Sequence, residues 1–353
     1  MNKEKTINAA VIGAGAIGLD HIQGFQQHPK ACVVAIADTN AQRAGEAARK
    51  FGIPDVVSDY RDLLKRKDLA AVSVALPNYL HFAAGMDALR AGKHVMMEKP
   101  FATHAREAAR LVATAKAKRR VLMVGQNQRF SPAAQTLKQI VSRGDLGDVY
   151  HAEATFLRRS GIPRIGSWFT QKKYSGGGCL YDIGVHALDL TLHLIGDFDA
   201  AAVSGQTFGK FGARGLGNGG WGMSEIAPSK PFDVEDFAVA LIKMRSGRTV
   251  LLRASWAAHM PKRDDHNIAL FGTEGGAYFQ PLQVFGPVDQ EYVIREPKPL
   301  PLLVPANRMV HFMDIVLGKA KPFVKPDESL KVQRILDAIY ASSGSGREVR
   351  IKA

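Results

Sequence analysis

Residues 7–18 read Ile7-Asn-Ala-Ala-Val-Ile12-Gly13-Ala-Gly15-Ala-Ile-Gly18, an apolar run that leads directly into three spaced glycines. The run has the length of a buried strand, and the segment after it has the apolar periodicity of a helix. Asp38 ends the next apolar run, 20 residues beyond Gly18. This order of strand, glycines, helix and acid is the dinucleotide-binding fingerprint, in which the glycines allow a tight turn, close approach of a pyrophosphate and close helix packing. The stretch therefore predicts a Rossmann-type α/β domain.

The same stretch predicts which cofactor the domain takes. A carboxylate at position 38 would accept hydrogen bonds from a ribose 2′-hydroxyl and repel a 2′-phosphate, which favours NAD over NADP. Arg43 leaves NADP open as the less favoured alternative, because it lies one turn into the next helix and could pair with a 2′-phosphate; otherwise it is a solvated helix residue. The residues predicted here to bind the cofactor are Gly13, Ala14, Gly15, Ala16, Ile17, Gly18 and Asp38.

The chain has 353 residues, which corresponds to about two domains. Residues 1–125 alternate short apolar runs with amphipathic stretches, the pattern of a doubly wound parallel sheet covered by helices. Predicted strands cover 7–12, 32–37, 71–76, 94–97 and 121–125, and predicted helices cover 40–51, 79–91 and 104–117. We therefore predict an NAD-binding Rossmann domain over residues 1–125.

The pattern changes in the remainder of the chain. Long strand-like runs at 149–157, 236–245, 249–258 and 268–271 are separated by turn signals such as Ser246-Gly247, which predicts an open, mostly antiparallel sheet. Residues 126–353 are thus predicted to form an α+β domain for substrate binding and oligomerisation. The Gly-rich stretch 205–222 has little apolar content, and we interpret it as a mobile loop or a partner-binding arm.

Composition excludes several other classes of protein. The net charge is +14, but it is spread over both parts of the chain without aromatic interleaving, so we expect no nucleic-acid partner. No apolar run approaches the ~20 residues of a membrane helix, and we expect no membrane partner. Met1–Lys5 lead into the first strand without a secretory signal pattern, which predicts a cytoplasmic protein. Two cysteines are too few for a four-thiolate zinc site.

A lysine follows one of the predicted parallel strands. Glu98-Lys99-Pro100 closes the strand at 94–97, so Lys99 is expected at the carboxyl edge of the sheet, where ligands bind. Glu98 could fix its position, and the bond to Pro100 could be cis. By itself such a lysine would more simply be a surface residue at a strand end.

A carboxylate and an imidazole follow a triple glycine, in Gly176-Gly-Gly178-Cys-Leu-Tyr-Asp182-Ile-Gly-Val-His186. On an α-helix, Asp182 and His186 lie one above the other, and a carboxylate beside an imidazole suits a general base. Asp189 and His193 continue this face, so a metal site is the rival interpretation. We predict no metal, because hydride transfer to a nicotinamide does not need one.

These motifs together resemble the Gfo/Idh/MocA oxidoreductases. The resemblance spans most of the chain and includes the glycine fingerprint, Ala75-Leu76-Pro77-Asn78 with His81, the Glu98-Lys99-Pro100 motif, Asn127-Gln-Arg129-Phe130, and the segment from Gly176 through Asp182, His186 and Asp189. It implies a Rossmann domain followed by an open-faced sheet domain that covers the active site and often forms the interface of a homodimer or homotetramer.

The resemblance also implies roles for individual residues. Lys99, Asp182 and His186 match the catalytic positions, with His186 the expected base and Lys99 orienting the reacting hydroxyl or relaying its proton. Leu76, Pro77, Asn78, His81, Glu98, Lys99 and Asn127 match cofactor-binding positions. The residues predicted to contact substrate are Lys99, Asn127, Arg158, Trp168, Asp182 and His186.

The expected reaction is NAD-dependent oxidation of a secondary hydroxyl of a sugar, a sugar derivative or an inositol-like polyol. Two alternatives stay open: a glycosidase that uses tightly bound NAD for transient oxidation and elimination, and a non-catalytic NAD-binding protein. The segment before the glycines carries five basic residues, which suggest an acidic or phosphorylated sugar or a nucleotide-sugar unless they are solvated loop charges: Arg158, Arg159, Arg164, Lys172 and Lys173. Trp168 could stack on a sugar or the nicotinamide, or pack in the core.

Overall fold

The structure is a computed structural model that describes residues 6–222, 224, 226 and 232–352. Met1–Lys5, on which the predicted absence of a secretory signal depends, lie outside these ranges. The chain forms two compact units, the first made of Met1–Gly125 and Asn307–Leu330 and the second of Gln126–Ala306 and Lys331–Ala353. Within the described ranges no helix has both the length and the apolar character needed to cross a membrane.

The first unit is built on a six-stranded parallel sheet in the order β3-β2-β1-β4-β5-β6. Its strands are β1 (Ile7–Ile12), β2 (Ala31–Ala37), β3 (Asp55–Val57), β4 (Leu69–Val74), β5 (His94–Met97) and β6 (Leu122–Val124). Its helices are α1 (Ala16–Gln26), α2 (Ala41–Phe51), α3 (Tyr60–Leu64), α4 (Asn78–Arg90), α5 (Ala105–Lys118) and, after the return of the chain, α9 (Arg308–Val316). The predicted doubly wound parallel sheet is confirmed.

Local sequence explains where these elements begin and end. The central strands are almost wholly buried apolar runs, as expected of a parallel sheet covered on both faces. Asn40 is the N-cap of helix α2, and its side chain accepts a hydrogen bond from the Arg43 amide; Gly52, in the left-handed conformation, is the C-cap. β3 and α3 were absent from the sequence prediction because both are short and β3 is largely exposed.

The return of residues 307–330 to the first unit differs from the predicted continuous second domain over 126–353. Helix α9 packs on α1, where the Phe25 and Phe312 rings meet edge to face at 6.2 Å. Gly24 makes room for this contact, because a Cβ there would overlap the Met309 side chain. Asn307 is the N-cap of this helix, and its side chain accepts hydrogen bonds from the amides of Met309 and Val310. These contacts join segments far apart in sequence, which periodicity alone does not reveal.

The second unit is built on a nine-stranded sheet in the order β14-β13-β12-β11-β7-β10-β9-β8-β15, with β7 and β10 as its one parallel pair. Its strands are β7 (Val149–Arg158), β8 (Ala200–Phe208), β9 (Phe237–Met244), β10 (Thr249–Ser255), β11 (Asp264–Gly272), β12 (Gly276–Tyr278), β13 (Gln283–Val288), β14 (Glu291–Arg295) and β15 (Val349–Arg350). Its helices are α6 (Pro132–Ser142), α7 (Lys172–Ser175), α8 (Val185–Ile195) and α10 (Pro326–Ser345), within which the division of the chain after Leu330 falls.

The core of the second unit lies between one face of this sheet and its helices. Alternate residues of β9 and β10, such as Ala240, Ile242 and Leu252, are buried in the same apolar cluster as the nearly all-buried helix α8, which packs on β7 and β11. The mostly antiparallel sheet is thus confirmed. The prediction of a loop over 205–222 was wrong for its first residues, because 205–208 continue β8, pair with β9 and carry a hydrogen bond from the Gly205 amide to Ser342.

Candidate active site

The glycine loop after β1 fits the pyrophosphate of a dinucleotide. Gly13 has φ +104°, and a Cβ there would overlap the Ala75 carbonyl, while a Cβ on Gly18 would overlap the Gly13 carbonyl. A Cβ on Gly15, by contrast, would meet nothing within 4 Å. Gly15 is also the N-cap of α1, so the open space lies at the positive end of a helix where its first amides can meet phosphates. Two glycines are therefore needed for folding, and Gly15 keeps the backbone accessible.

Asp38 lies directly after β2 as an anchored carboxylate. It accepts hydrogen bonds from the amides of Ala14 at 2.7 Å and Asn40 at 2.8 Å. Arg43 adds a two-pronged pair, with Nη2 2.7 Å from Oδ1 and Nε 3.2 Å from Oδ2. Burial raises the pKa of Asp38, but Arg43 and the two amides outweigh it and the net pKa is below its ordinary value. The guanidinium of Arg43 thus faces the carboxylate that would meet the ribose, rather than standing as a solvated helix residue.

Lys99 lies at the carboxyl edge of the parallel sheet, immediately beyond β5 and Glu98. Its side chain is partly exposed, and its backbone amide donates to Glu98 Oε2 at 3.1 Å. The Lys99–Pro100 bond is cis, the alternative that the X-Pro sequence left open. The structure therefore places the lysine on the edge of the sheet that also carries the glycine loop.

Glu98 is held by side chains that sequence reasoning missed. His21 Nε2 donates to Oε1 at 2.9 Å, and the hydroxyl of Ser73 meets the other ring nitrogen of His21. Arg308 Nη2 also donates to Oε1 at 3.1 Å. Burial raises the pKa of the Glu98 carboxyl, but Arg308 and His21 outweigh it, so the net pKa lies well below its usual range. Only the position of His21, three residues after the last fingerprint glycine, could have suggested this cluster.

Residues 75–81, which follow β4, lie at the same carboxyl edge of the six-stranded sheet as Lys99. Leu76 and Pro77 are half-buried, and the Leu76 side chain lies beside Gly13, where an added Cβ would come within 3.4 Å of it. Asn78 begins α4 and is buried. His81 is fully buried and links the Leu76 and Pro100 carbonyls, each 2.8 Å from a ring nitrogen, and burial lowers its pKa. His81 and Glu98, both predicted to bind the cofactor, are buried, and His81 joins the segments that follow β4 and β5.

Asp182 and His186 occupy different kinds of helix. Residues Leu180–Gly184 form a π-helical turn that continues into α8, so Asp182 lies in the π turn and His186 in the first turn of the α-helix. The predicted single α-helical face was wrong, because the spacing rule does not hold across a π turn. Asp182 is buried and accepts a 2.9 Å hydrogen bond from the Trp256 indole, while His186 is partly exposed. π turns of this kind are frequent at functional sites.

Glu235, which sequence reasoning missed, holds the turn that carries Asp182. Its buried carboxyl group accepts hydrogen bonds from the amides of Gly178 at 2.9 Å and Leu180 at 3.0 Å, and from the Tyr340 hydroxyl at 2.8 Å. Burial raises the pKa of this carboxyl. Gly177 has to be small, because a Cβ there would overlap the Tyr340 hydroxyl. The acidic pair Glu235-Asp236 just before β9 was the available signal.

Asp189 forms a buried ion pair with Arg129, and His193 is hydrogen-bonded to the same arginine. Arg129 donates from Nε and Nη2 to the two oxygens of Asp189, both at 2.7 Å, and from Nη1 to His193 Nδ1 at 3.3 Å. Both members of the pair are buried. In the part of the chain that the structure describes, no group of three His, Cys, Asp or Glu side chains is placed to hold a metal ion. The arginine thus accounts for the two residues that suggested a metal site.

The other predicted substrate residues also lie in the second unit. Arg158 ends β7, and Trp168 begins a 3₁₀ turn in which its ring stacks on Phe169 at 3.8 Å. Asn127 is exposed at the start of a 3₁₀ helix before α6. The structure therefore brings the cofactor loop, Asp38, Asn78 and Lys99 to the sheet edge of the first unit, and Asp182, His186, Arg158 and Trp168 to the second.

Comparisons with known proteins give the family. Residues 7–126 match the model of an oxidoreductase family with an NAD-binding Rossmann fold, and residues 134–278 match the GFO/IDH/MocA C-terminal domain. A D-glucoside 3-dehydrogenase of Escherichia coli K12 is 29% identical over 98% of this chain and 97% of its own. A levoglucosan dehydrogenase of Pseudarthrobacter phenanthrenivorans is 31% identical over 78% of this chain and 74% of its own.

Solved structures agree with this result. A levoglucosan dehydrogenase in complex with NADH and levoglucosan has a TM-score of 0.84 and 25% identity, and the match covers 99% of this chain and 100% of that one. The resemblance found in the sequence motifs is confirmed. The chain belongs to the Gfo/Idh/MocA family of NAD-binding oxidoreductases.

Proposed function

We propose that this protein is an NAD-dependent dehydrogenase that oxidises a secondary ring hydroxyl of a sugar or glycoside. The observation that carries the proposal is Lys99, which lies on the sheet edge that also carries the glycine loop and is anchored through Glu98. The open space over Gly15 and the anchored carboxylate of Asp38 support the cofactor part. The glucoside and levoglucosan dehydrogenases among the relatives support the substrate class, with the 3-hydroxyl of a hexopyranose ring as the first position to test.

Each residue has a distinct proposed task. NAD, held by Gly13–Gly18 and Asp38, would supply the hydride acceptor. His186 accepts the proton of the reacting hydroxyl, since its imidazole is partly exposed at the start of α8. The Lys99 ammonium stabilises the alkoxide that develops as the proton leaves. Asp182, held by the Trp256 indole, orients the base or the substrate hydroxyl.

The first test is formation of NADH by the purified protein, followed by absorbance with methyl glucosides, levoglucosan, aldoses, sugar acids and inositols. We expect NADH with at least one pyranoside. Glycoside cleavage followed in parallel separates the remaining alternatives, because consumption without net NADH indicates transient oxidation by bound NAD. NAD binding with neither product contradicts the proposal.

Two variants test the roles of the side chains. We expect His186→Ala to lower kcat by about 10²–10⁴-fold, the usual worth of a positioned base. Lys99→Ala should lower it by about 10²–10³-fold, as for other preorganised charge stabilisers. Lys67→Ala and His104→Ala, both exposed in the first unit, are the matched controls and should leave kcat unchanged. Folded, NAD-bound Lys99 and His186 variants with unchanged turnover would exclude these assignments.

A homo-oligomer formed through the nine-stranded sheet is also part of the proposal. Helix α8 packs on one face of the sheet, and on the other face Phe208, Leu241 and Tyr278 are each more than a third exposed. Exposed apolar side chains in a shared surface favour association. We expect a dimer or tetramer by light scattering, and Leu241→Glu should shift the protein toward monomer; a monomeric wild type contradicts this part of the proposal.

The cytoplasmic location stays a prediction, to be checked by cell fractionation.

A further inference from the structure

A continuous row of flat side chains crosses one end of the second unit, and we call it the aromatic ladder. Trp168 stacks on Phe169 at 3.8 Å, Phe169 meets Trp221 at 6.1 Å, and the Arg158 guanidinium lies 5.6 Å from the Trp221 ring. Arg158 also lies 5.0 Å from the Phe156 ring, which stacks on His266 at 4.1 Å. The members of the ladder are Trp168, Phe169, Trp221, Arg158, Phe156 and His266.

Trp221 lies in the Gly-rich stretch, and the part of this stretch around Trp221 is hydrogen-bonded to residues 161–162. The Ile162 amide donates to the Gly217 carbonyl at 2.9 Å, and the Gly219 amide returns a bond to the Ile162 carbonyl at 2.8 Å. The Trp221 indole itself donates to the Gly161 carbonyl at 3.1 Å. Gly217, at φ +79°, lies so close to Ala257 that an added Cβ would come within 2.5 Å of its methyl carbon. Gly217 therefore allows the segment to approach Ala257 closely, and the hydrogen bond to Gly161 holds the Trp221 indole in place.

Direct contacts connect the ladder to the proposed catalytic carboxylate. β7 and β10 run parallel, so their carboxyl ends meet at one edge of the sheet. There the Ser255 hydroxyl donates to the Arg158 carbonyl at 3.1 Å, and the next residue, Trp256, donates to Asp182. The ladder thus borders the part of the second unit that carries Asp182.

The exposed surface of the ladder is flat and aromatic. Trp221 is 39% exposed although its backbone segment and its indole nitrogen are hydrogen-bonded. The charge of Arg158 is partly balanced by Asp264, whose Oδ1 lies 3.6 Å from Nε. A rigid aromatic surface with a balanced cation offers stacking, with little penalty for a neutral partner. An aryl ring can stack on this surface, and so can the apolar CH face of a second sugar.

We propose that Trp221, supported by Arg158 and Phe169, forms a subsite for the aglycone of a glycoside, so that substrates with an aryl group or a second sugar attached to the oxidised sugar are preferred over simple sugars. The proposal rests on the proposed function, because it takes the oxidised ring to lie beside Asp182. It assigns specificity to the Gly-rich segment that carries Trp221. Aryl glucosides and disaccharides represent the two kinds of aglycone, a planar ring and a sugar ring that stacks through its CH face.

The test compares kcat/KM for methyl β-D-glucopyranoside, phenyl β-D-glucopyranoside and cellobiose. We expect the wild type to prefer at least one of the two larger substrates by roughly tenfold, the worth of one good aromatic contact. Trp221→Ala should bring the ratio close to one and leave the methyl glucoside value within about threefold. Trp221→Phe should retain part of the preference. Tyr292→Ala, a highly exposed aromatic residue on β14, is the control and should leave the ratio unchanged.

The outcomes separate the subsite from the activity. Preference for phenyl glucoside alone identifies an aryl site, and preference for cellobiose a second sugar site. A wild type without preference, or a Trp221→Ala variant that loses activity equally on all three substrates, overturns the subsite while the dehydrogenase function stands. If no pyranoside gives NADH, the proposed function fails first. Quenching of tryptophan fluorescence by phenyl glucoside, lost in Trp221→Phe, then decides the subsite, and unchanged quenching overturns it.

Discussion

Arg308 Nη2 lies 3.1 Å from Glu98 Oε1, so a residue of the returning segment holds the carboxylate that precedes the proposed catalytic lysine. The same carboxylate accepts the backbone amide of Lys99 through its other oxygen. The side chains of Arg308 and Glu98 are only 11% and 9% exposed, so the pair is largely shielded from water. The return of residues 307–330 therefore completes the support of Lys99 in addition to covering α1.

Replacement of Arg308 by leucine should destabilise the protein. Removal of one partner from a buried pair leaves an uncompensated charge and costs about 3–5 kcal/mol. We expect that loss in the free energy of unfolding measured in urea. Lys116→Ala is a matched control, because it breaks an exposed pair with Asp327 in the same returning segment and should cost no more than about 1 kcal/mol. Equal stability of both variants would contradict this account of Glu98.

The double variant Arg308→Leu with Glu98→Gln should recover much of the lost stability, because no buried charge then remains.

The sign of the pH dependence follows from the same pair. The folded-state pKa of Glu98 lies below its ordinary value of 4.5, so its stabilisation is present above that pH and is lost as the pH falls below it. Below pH 4.5, Glu98→Gln should therefore lose stability with falling pH less steeply than the wild type.

Gly15 and Gly18 should respond differently to the same change. Gly15→Ala places its methyl group in open space, so we expect an unchanged melting temperature and a Kd for NAD raised by at least about tenfold, because the methyl lies where the pyrophosphate would approach. Gly18→Ala places its methyl against the Gly13 carbonyl and should lower the melting temperature. Differential scanning fluorimetry and NAD titration measure both effects. Loss of stability in Gly15→Ala would contradict the accessible role.

Asp38 should set the choice of cofactor through Arg43. Asp38→Ser removes the carboxylate that would repel a 2′-phosphate and leaves the Arg43 guanidinium available to bind one. We expect the ratio of kcat/KM for NADP to that for NAD to rise by about 10–100-fold. Arg43→Ala added to Asp38→Ser should remove most of this gain. An unchanged ratio in Asp38→Ser would mean that other residues select the cofactor.

Sequence reasoning worked where the deciding interactions are local. β1 and β5 have the predicted bounds, because each is a buried apolar run that ends at a motif. The short β3 was not predicted because it is exposed. β8 was not predicted because it contains Gly205, which packs closely against Ile339. Periodicity does not encode such packing.

The supports of the site depend on distant segments. Two of the supporting residues, Arg308 and Glu235, lie outside the motifs that they stabilise. Arg129 lies within a motif, but its partner Asp189 is 60 residues away. The π turn at Asp182 likewise depends on Glu235, which binds the Gly178 and Leu180 amides from 55 or more residues downstream. Motifs were therefore enough to name candidate site residues, whose roles stay predictions, but they did not reveal the residues that hold those candidates in position.

His94 should make the stability of the protein depend on pH in the weakly acidic range. Burial and the nearby Arg120 lower its pKa to about 4, from an ordinary value of 6.5. Between these values the unfolded chain binds a proton that the folded chain does not, so stability is full above pH 6.5 and falls as the pH approaches 4. The slope for one such proton is at most about 1.4 kcal/mol per pH unit.

His94→Asn tests this dependence without removing the hydrogen bond. His94 Nδ1 accepts the Val121 amide at 3.0 Å, and an asparagine carbonyl can take over that acceptor without titrating. Urea unfolding at a series of pH values should give a slope shallower than that of the wild type by up to about 1.4 kcal/mol per unit in this window. His266, whose pKa burial and Arg158 lower to about 4, contributes in the same direction, so part of the slope should persist. A slope identical to that of the wild type would show that His94 is protonated in the folded protein.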